Sequence, residues 1–475
     1  MQEGSWIDSD PGHGSNIAEL AGIDARITEL LEQIRQLRDR RNSLVPINRL
    51  PVELLVRIFS LAQDLENAEK DNFYNWVVVT HVSRHWRSIA LQEGSLWRDI
   101  IYRQRLDTQR WSMESFHRSG SWNLSVHAVL RYSYEVDMIS SILSQMHRIQ
   151  SIDCSGILGL SKIQNLVQQL EQPAPLIEEV KLRNISDTQS ISLFSGVAPR
   201  LSSLSLLATA IVWDSDGLMF HNLTKLELSS IPTPIRPQLD EILNLLSHTR
   251  HLESLYLSGA FSVTETSESS EFIHLPALSS IFIGASESEC IPLLSSITFP
   301  ASVQVDVRLS CLGHRNYNPQ SFFRTLANTS SDRARRISHL DIRWGPYDTA
   351  RYTCWDEDQE EQAIPRISIS VYTASRCASK AQWLEATQAL SFLRLRKLVI
   401  KGSEAEPFHV FSPFTTSTLL STIITTDIFL PGFIQSIDDN ARAFPGLLNL
   451  TISFSGEPYV RNYALKVSKK IGCDP

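Results

Sequence analysis

The chain has 475 residues, 20% of them charged and 42% hydrophobic, with a formal net charge of -8. That length supports roughly two to four domains. The mildly acidic balance excludes a chain built as a whole to hold nucleic acid or an anionic membrane.

The first residues, 1–16, have neither a charged leader nor an apolar core segment and read as a disordered lead. From 17 to 45 a seven-residue rhythm predicts a long helix. Leu20, Ile27 and Ile34 occupy one position, while Ile23, Leu30, Leu37 and Leu44 fall three residues later, and Arg41 breaks the first series. Glu19, Arg26, Glu29, Glu32, Arg35, Arg38 and Arg40 supply its solvated faces. Such a stripe is expected to bury itself, either against a second copy in a coiled coil or against the chain's own next domain.

Pro46 breaks this helix and Pro51 suits the first turn of another, running to about Leu65. At 100° per residue, Leu54, Ile58, Leu61 and Leu65 form one stripe. Leu55, Phe59 and Ala62 form a second about 100° round from it, and Val52 and Val56 widen the arc. Two adjacent stripes predict burial on two sides. One side meets the helix's own bundle and the other meets a different part of the chain or another protein. After a polar connection, Val78, Val82, Trp86 and Ile89 fall on one helical face with Val79 and Ala90 beside it. Trp76, Trp86, Trp97, Trp111 and Trp122 are half of the chain's ten tryptophans and predict a compact aromatic core.

Taken together, Leu50-Pro51, Glu53-Leu54-Leu55, Ile58-Phe59, Val82-Ser83-Arg84-x-Trp86-Arg87, Ile89-Ala90, Ser95-Leu96-Trp97 and Ile100 resemble the F-box. The resemblance implies an all-α module over 46–102 that docks on a Skp-type adaptor, itself joined to a cullin and a RING subunit in a ubiquitin ligase. It assigns Leu50, Pro51, Leu54, Leu55, Ile58, Phe59, Val82, Trp86, Leu96 and Trp97 to the module's core or its adaptor surface. The heptad helix, and Arg118-Ser119-Gly120 followed by Leu124-Ser125, further resemble an expanded group of fungal F-box proteins. Three features depart from the family form: Ser83 stands for a frequent Cys, Glu93-Gly94 stands where Pro is common, and the connection between the two helices is lengthened.

Residues 103–147 read as a connecting segment. From 148 to 475 a motif of the form apolar-x-x-apolar-x-apolar recurs, beginning at Ile149-Ile152-Cys154, Ile177-Val180-Leu182, Leu201-Leu204-Leu206, Leu223-Leu226-Leu228, Leu252-Leu255-Leu257 and Leu278-Ile281-Ile283. It returns at Ile337, Ile364, Leu395 and Leu447, with blurred forms near Val305-Val307 and Leu420-Ile423. The spacing and pattern resemble leucine-rich repeats, in which stacked short strands share one core. The usual Asn after the strand is present only at Asn184. The expected fold is therefore α/β: a heptad helix and small all-α module, then an irregular leucine-rich-repeat-like β/α solenoid.

In such strands the residue between the last two apolar positions points outward. This selects Asp153, Lys181, Ser205, Glu227, Tyr256, Phe282, Asp341, Ser368, Val399 and Thr451 as the line of a protein-binding surface. Among them Lys181, Glu227, Tyr256, Phe282 and Asp341 are the candidate target-binding residues. The acidic stretches 262–272 and 355–362 read as solvated loops.

No phosphate-binding glycine loop, GxSxG, HExxH or Cys/His cluster is present. Cys154, Cys290, Cys311, Cys354, Cys377 and Cys473 are scattered, which predicts isolated reduced thiols and a cytoplasmic or nuclear home. Leu419 to Ile434 is too interrupted for a membrane span. His81 and His85 have a metal-compatible spacing on one helix face but no third ligand. No catalytic residue, cofactor or metal is expected. The chain thus reads as the substrate-recognition subunit of a Skp-cullin-F-box ligase, with a non-ligase interaction scaffold as the alternative.

Overall fold

The computed structural model describes residues 11–67, 74–103, 106–156, 163–185, 190–213, 218–263, 272–310, 319–329, 337–345, 349–356, 364–372, 380–390, 393–402, 410–440 and 442–453. The chain divides into two compact units, Met1–Ser125 and Val126–Pro475.

The first unit is mainly helical, with α1 (Pro11–Ser43), α2 (Val52–Asn67), α3 (Arg84–Gln92) and α4 (Leu106–Arg118). Short 3-10 helices at Pro46–Arg49, Asn75–His81 and Gly94–Trp97 and one strand, β1 (Asp99–Tyr102), complete it. Helix α1 covers Pro11–Ser43 among the described residues. The expected disordered lead is corrected there, since residues 11–16 are helical and residues 1–10 lie outside the described residues. The expected connecting segment is corrected too: α4 packs on β1, and the helix α5 (Ser133–Leu143) follows in the second unit. Tertiary burial overrides the weak local pattern here, for Ser112 and Ser115 on α4 are closed off from solvent, and Ser112 Oγ donates to the Ile101 carbonyl at 2.8 Å.

The second unit is built on a large, mostly parallel sheet. Its strands in chain order are β2 (Leu124–Val129), β3 (Ile149–Ser155), β4 (Glu179–Arg183), β5 (Ser203–Leu207), β6 (Lys225–Ser229), β7 (Ser254–Ser258), β8 (Ile273–His274), β9 (Ser280–Ala285) and β10 (Ile297–Thr298). Then come β11 (Gln304–Ser310), β12 (Ile337–Gly345), β13 (Thr349–Asp356), β14 (Ile367–Tyr372), β15 (Lys397–Gly402), β16 (Thr422–Thr426) and β17 (Asn449–Ser453). From β3 onward the spatial order is β3-β4-β5-β6-β7-β9-β11-β14-β13-β12-β15-β16-β17, with β8 and β10 forming a separate pair. The recurring motif explains the parallel part. Ile152, Val180, Leu204, Leu226, Leu255 and Ile281 stand at one register level, with Cys154, Leu182, Leu206, Leu228, Leu257 and Ile283 at the next. All twelve side chains are buried, so each strand extends one continuous apolar layer.

The stacking order breaks in the middle. Strand β11 pairs in parallel with β14 rather than with β12, while β13 runs antiparallel between β14 and β12, and β12 pairs in parallel with β15. The expectation of repeats stacked in chain order fails at this point, because an antiparallel meander lets three strands follow one another without crossover helices.

Residues just after the strands explain how the turns work without an asparagine ladder. Asn184, Ala208, Ser230 and Gly259, one beyond β4, β5, β6 and β7, all have positive φ between 48° and 56°. Each donates its backbone N–H to the next strand, to Leu207, Ser229, Ser258 and Gly284 respectively, at 2.7–2.9 Å. The left-handed geometry is thus kept by the backbone, and only Asn184 and Gly259 are residue types that adopt it readily.

Candidate functional site

The compact core of the first unit gathers Leu55, Phe59, Trp76, Val77, Val79, Ile89, Ala90, Leu96 and Trp97, with Leu50, Tyr74, Trp86 and Trp111 packed at its edge. Phe59 sits 5.0 Å from Trp86, and Trp76 meets Trp97 edge-on at 5.0 Å, both favourable aromatic geometries. The indole N–H groups are satisfied: Trp97 Nε1 donates to the Ala90 carbonyl at 2.7 Å, and Trp86 Nε1 to Asn48 Oδ1 at 2.6 Å. Arg118 lies over Trp97, 5.3 Å from the ring centroid.

Two departures from the family form find local reasons. Ser83 is the N-cap of α3, its hydroxyl accepting the Trp86 N–H at 3.2 Å, a role that Cys fills poorly. Gly94 is buried, and a Cβ there would lie 2.7 Å from Trp122 Cδ1 and 3.1 Å from two backbone carbonyls, which leaves no room for a larger residue. Most of the lengthened connection, 68–73, lies outside the described residues.

The same cap corrects the expected second helix. The chain forms a 3-10 helix to His81 and restarts as α3 at Arg84, so Val78, Val82, Trp86 and Ile89 do not share a face. Val78 and Val82 are exposed, Trp86 is half-buried and Ile89 is buried. His81 and His85 consequently sit on different helices, both exposed, and no group of three His, Cys, Asp or Glu among the described residues could hold a metal.

On α2 the two predicted stripes have separate fates. Leu55 and Phe59 are wholly buried, whereas Leu54 is 50% exposed, and Val52, Ile58 and Leu61 are exposed beside it; the side chain of Leu65 lies outside the described residues. The ten residues assigned by resemblance are therefore apportioned. Leu55, Phe59, Leu96 and Trp97 form the core, Leu50 and Trp86 pack against it, and Pro51, Leu54, Ile58 and Val82 face solvent. Val52, Leu61 and Val78 join the exposed set without having been selected by the family pattern. An unshielded apolar flank of this kind is a candidate interaction surface.

Helix α1 also keeps apolar side chains in water. Ile17, Leu20, Ile23, Ile27, Leu30, Leu31, Ile34 and Leu37 are 43–67% exposed. Its C-terminal end is tied to the rest of the unit: Asn48 Nδ2 donates to the Asn42 carbonyl at 2.7 Å, and Arg84 pairs with Asp39 at 3.1 Å.

In the second unit the predicted outward residues fall into one register row. Reading across the paired strands gives Asp153, Lys181, Ser205, Glu227, Tyr256, Phe282, Asp306, Ser368, Thr353, Asp341, Val399, Ile424 and Thr451. Asp306, Thr353 and Ile424 were missed, the first and last on blurred motifs and Thr353 on the antiparallel strand that carries none. Ser205, Asp341 and Val399 are buried rather than exposed, because side chains on strands about 4.8 Å apart cover one another. Asp341 is corrected as a target-binding residue, for Arg343 seals it with bonds of 2.7, 3.0 and 3.1 Å. Lys181 pairs with Glu179, and Tyr256 stacks on Phe282 at 4.2 Å.

The thiols of Cys154 and Cys354 are pushed up to about 12 by burial, so neither is a nucleophile. His339, stacked on Trp355 at 4.6 Å, is pushed down to about 4, chiefly by burial and then by Lys397, and stays neutral at neutral pH.

Residues 47–103 match the family described as F-box-like. The first unit therefore contains an F-box-like domain, a helical protein-interaction module, and F-box domains generally bind Skp-type adaptors. No curated protein matches the sequence. Among the described residues no helix is long and apolar enough to cross a membrane.

Proposed function

We propose that the chain is the substrate-recognition subunit of a Skp-cullin-F-box ubiquitin ligase. The exposed flank of α2, with Val78 and Val82, docks on a Skp-type adaptor, and the second unit, a leucine-rich-repeat-like solenoid, holds a protein target. The chain performs no chemistry itself; ubiquitin transfer belongs to the partner subunits, and the chain contributes proximity. The observation that carries this is the split of α2, with Leu55 and Phe59 spent on the core and Val52, Leu54, Ile58 and Leu61 left in water. A standard interface of roughly 1,200–2,000 Å² would bury that flank.

The test is recovery of adaptor and cullin from cells by the full chain and by the Leu54→Asp plus Ile58→Asp variant. Both partners should vanish with the variant while its melting temperature stays within a few degrees of the parent's. Unchanged recovery refutes the docking assignment. Adaptor without cullin from the parent chain would make it a scaffold rather than a ligase subunit.

The exposed heptad stripe of α1 supports a homodimer, and its charges support an antiparallel one. Over 17–32 lie Glu19, Asp24, Glu29 and Glu32 against Arg26 alone, and over 33–43 lie Arg35, Arg38, Arg40 and Arg41 against Asp39 alone. Antiparallel helices set the acidic half of each copy beside the basic half of the other, whereas parallel ones set like beside like.

A further inference from the structure

Helix α1 has almost no packed contact with the rest of its unit. Among its described side chains, 16–43, only Glu32 and Asn42 are even partly buried. Leu44, Val45 and Ile47 in the turn that follows are 39–63% exposed. A helix without a buried face takes its direction from polar contacts and from the turn that joins it to the next element.

Those contacts converge on Asn48. Its Nδ2 donates to the Asn42 carbonyl in the last turn of α1 at 2.7 Å, and its Oδ1 accepts Trp86 Nε1 on α3 at 2.6 Å. Both ends of one amide are thus spent on joining two helices. The Asn42 carbonyl also accepts the Val45 N–H at 3.1 Å, so Asn48 completes the cap of a helix end whose carbonyls lack partners within the helix. The turn is itself hydrogen-bonded, with the Asn48 N–H donating to Val45 at 3.0 Å and the Leu50 N–H to Ile47 at 3.2 Å, and Pro46 fixes one φ within it. Trp86 carries the connection inward, since its ring lies 5.0 Å from Phe59 on the buried side of α2. The other tie, Asp39 to Arg84 at 3.1 Å, stands beside an open recess of about 320 Å³ that Asn42 and Asn48 also line. Its two side chains are about half exposed, so it is the weaker hold.

We propose that Asn48 is a positioning residue that latches α1 to the F-box-like module, which makes the heptad helix a fixed arm rather than a loose tether. This goes beyond the ligase reading and needs neither adaptor nor target. Whatever sits on the α1 stripe is then held in a set direction from the exposed flank of α2. An amide both donates and accepts, whereas a carboxylate only accepts. Asn48→Asp therefore keeps a partner for Trp86 while the bond to α1 is lost, and its charge is repelled by the negative end of the α1 dipole.

The experiment puts spin labels carried by unnatural amino acids in place of Gln36 on α1 and Ser88 on α3, both exposed. The labelled full chain is diluted with unlabelled chain so that distances within one copy are read. The parent should give one narrow distance. In Asn48→Asp and in Asn48→Ala the population outside that peak should rise about fivefold or more, as the loss of one net hydrogen bond implies. Leu55→Ala is the control for general loosening: it should lower the melting temperature by more than Asn48→Asp does and leave the distance narrow. A broad distribution in the parent, a narrow one in both Asn48 variants, or equal broadening by Leu55→Ala each overturns the latch.

Discussion

Leu54 and Leu55 are the same side chain one residue apart, and 100° of helical rotation gives them opposite roles. Leu55 is fully buried in the aromatic core and Leu54 is half in water. Truncation to alanine should therefore cost about 2–5 kcal/mol at Leu55, through lost burial and a cavity, and within about 1 kcal/mol at Leu54. Urea denaturation of the two variants checks this; equal losses would mean that Leu54 is also a core residue and that α2 has no free flank. Much of the residue-scale chemistry was legible in sequence as a choice of two stripes. Which stripe went to the core was not, because both are equally apolar and only the position of Trp76 and Trp97 decides between them.

At the scale of single elements, the turns after β4 to β7 share one left-handed residue. Such a conformation costs an L-residue about 1–2 kcal/mol, offset in part by the greater unfolded-state entropy of glycine. Ala208→Gly should accordingly stabilise the chain by about 0.5–1 kcal/mol, and Gly259→Ala should destabilise it by a similar amount. The space at Gly259 is not the obstacle, since an added Cβ would meet nothing closer than 3.9 Å; the strain is in φ. Thermal melts of the two variants test the pair, and shifts of the same sign would contradict it. Asn184 was the one turn residue readable in advance. Ala208 and Ser230 carried no signal, since the backbone N–H ladder that holds them exists only once neighbouring strands are paired.

For the whole molecule, the assembly prediction follows from α1. A stripe about 26 Å long from Leu20 to Leu37 lies open along a helix whose two halves carry opposite net charge. The full chain should sediment as a dimer at micromolar concentration and as a monomer when Ile27→Asp and Ile34→Asp are combined. Disulfide trapping should link a Glu19→Cys copy to an Arg40→Cys copy and fail between two Glu19→Cys copies. A monomeric parent chain removes the dimer, and trapping between two Glu19→Cys copies reverses its orientation. Two linked receptors would present two target-binding faces, raising effective concentration for a target with two binding segments.

The sequence by itself determined the local facts: the heptad helix, two apolar stripes from Pro51, a tryptophan-rich module of F-box-like form, and strands whose alternate residues form a core. These are properties of spacing, and spacing survives without knowledge of neighbours. Tertiary structure alone decided which stripe remained in solvent, where the parallel order gives way to a meander, and which residues share a row across the sheet. Asp153 and Thr451 are 298 positions apart in the sequence, and they belong to one surface because hydrogen-bonded strands set register across the sheet, a relation that no pattern along the chain records.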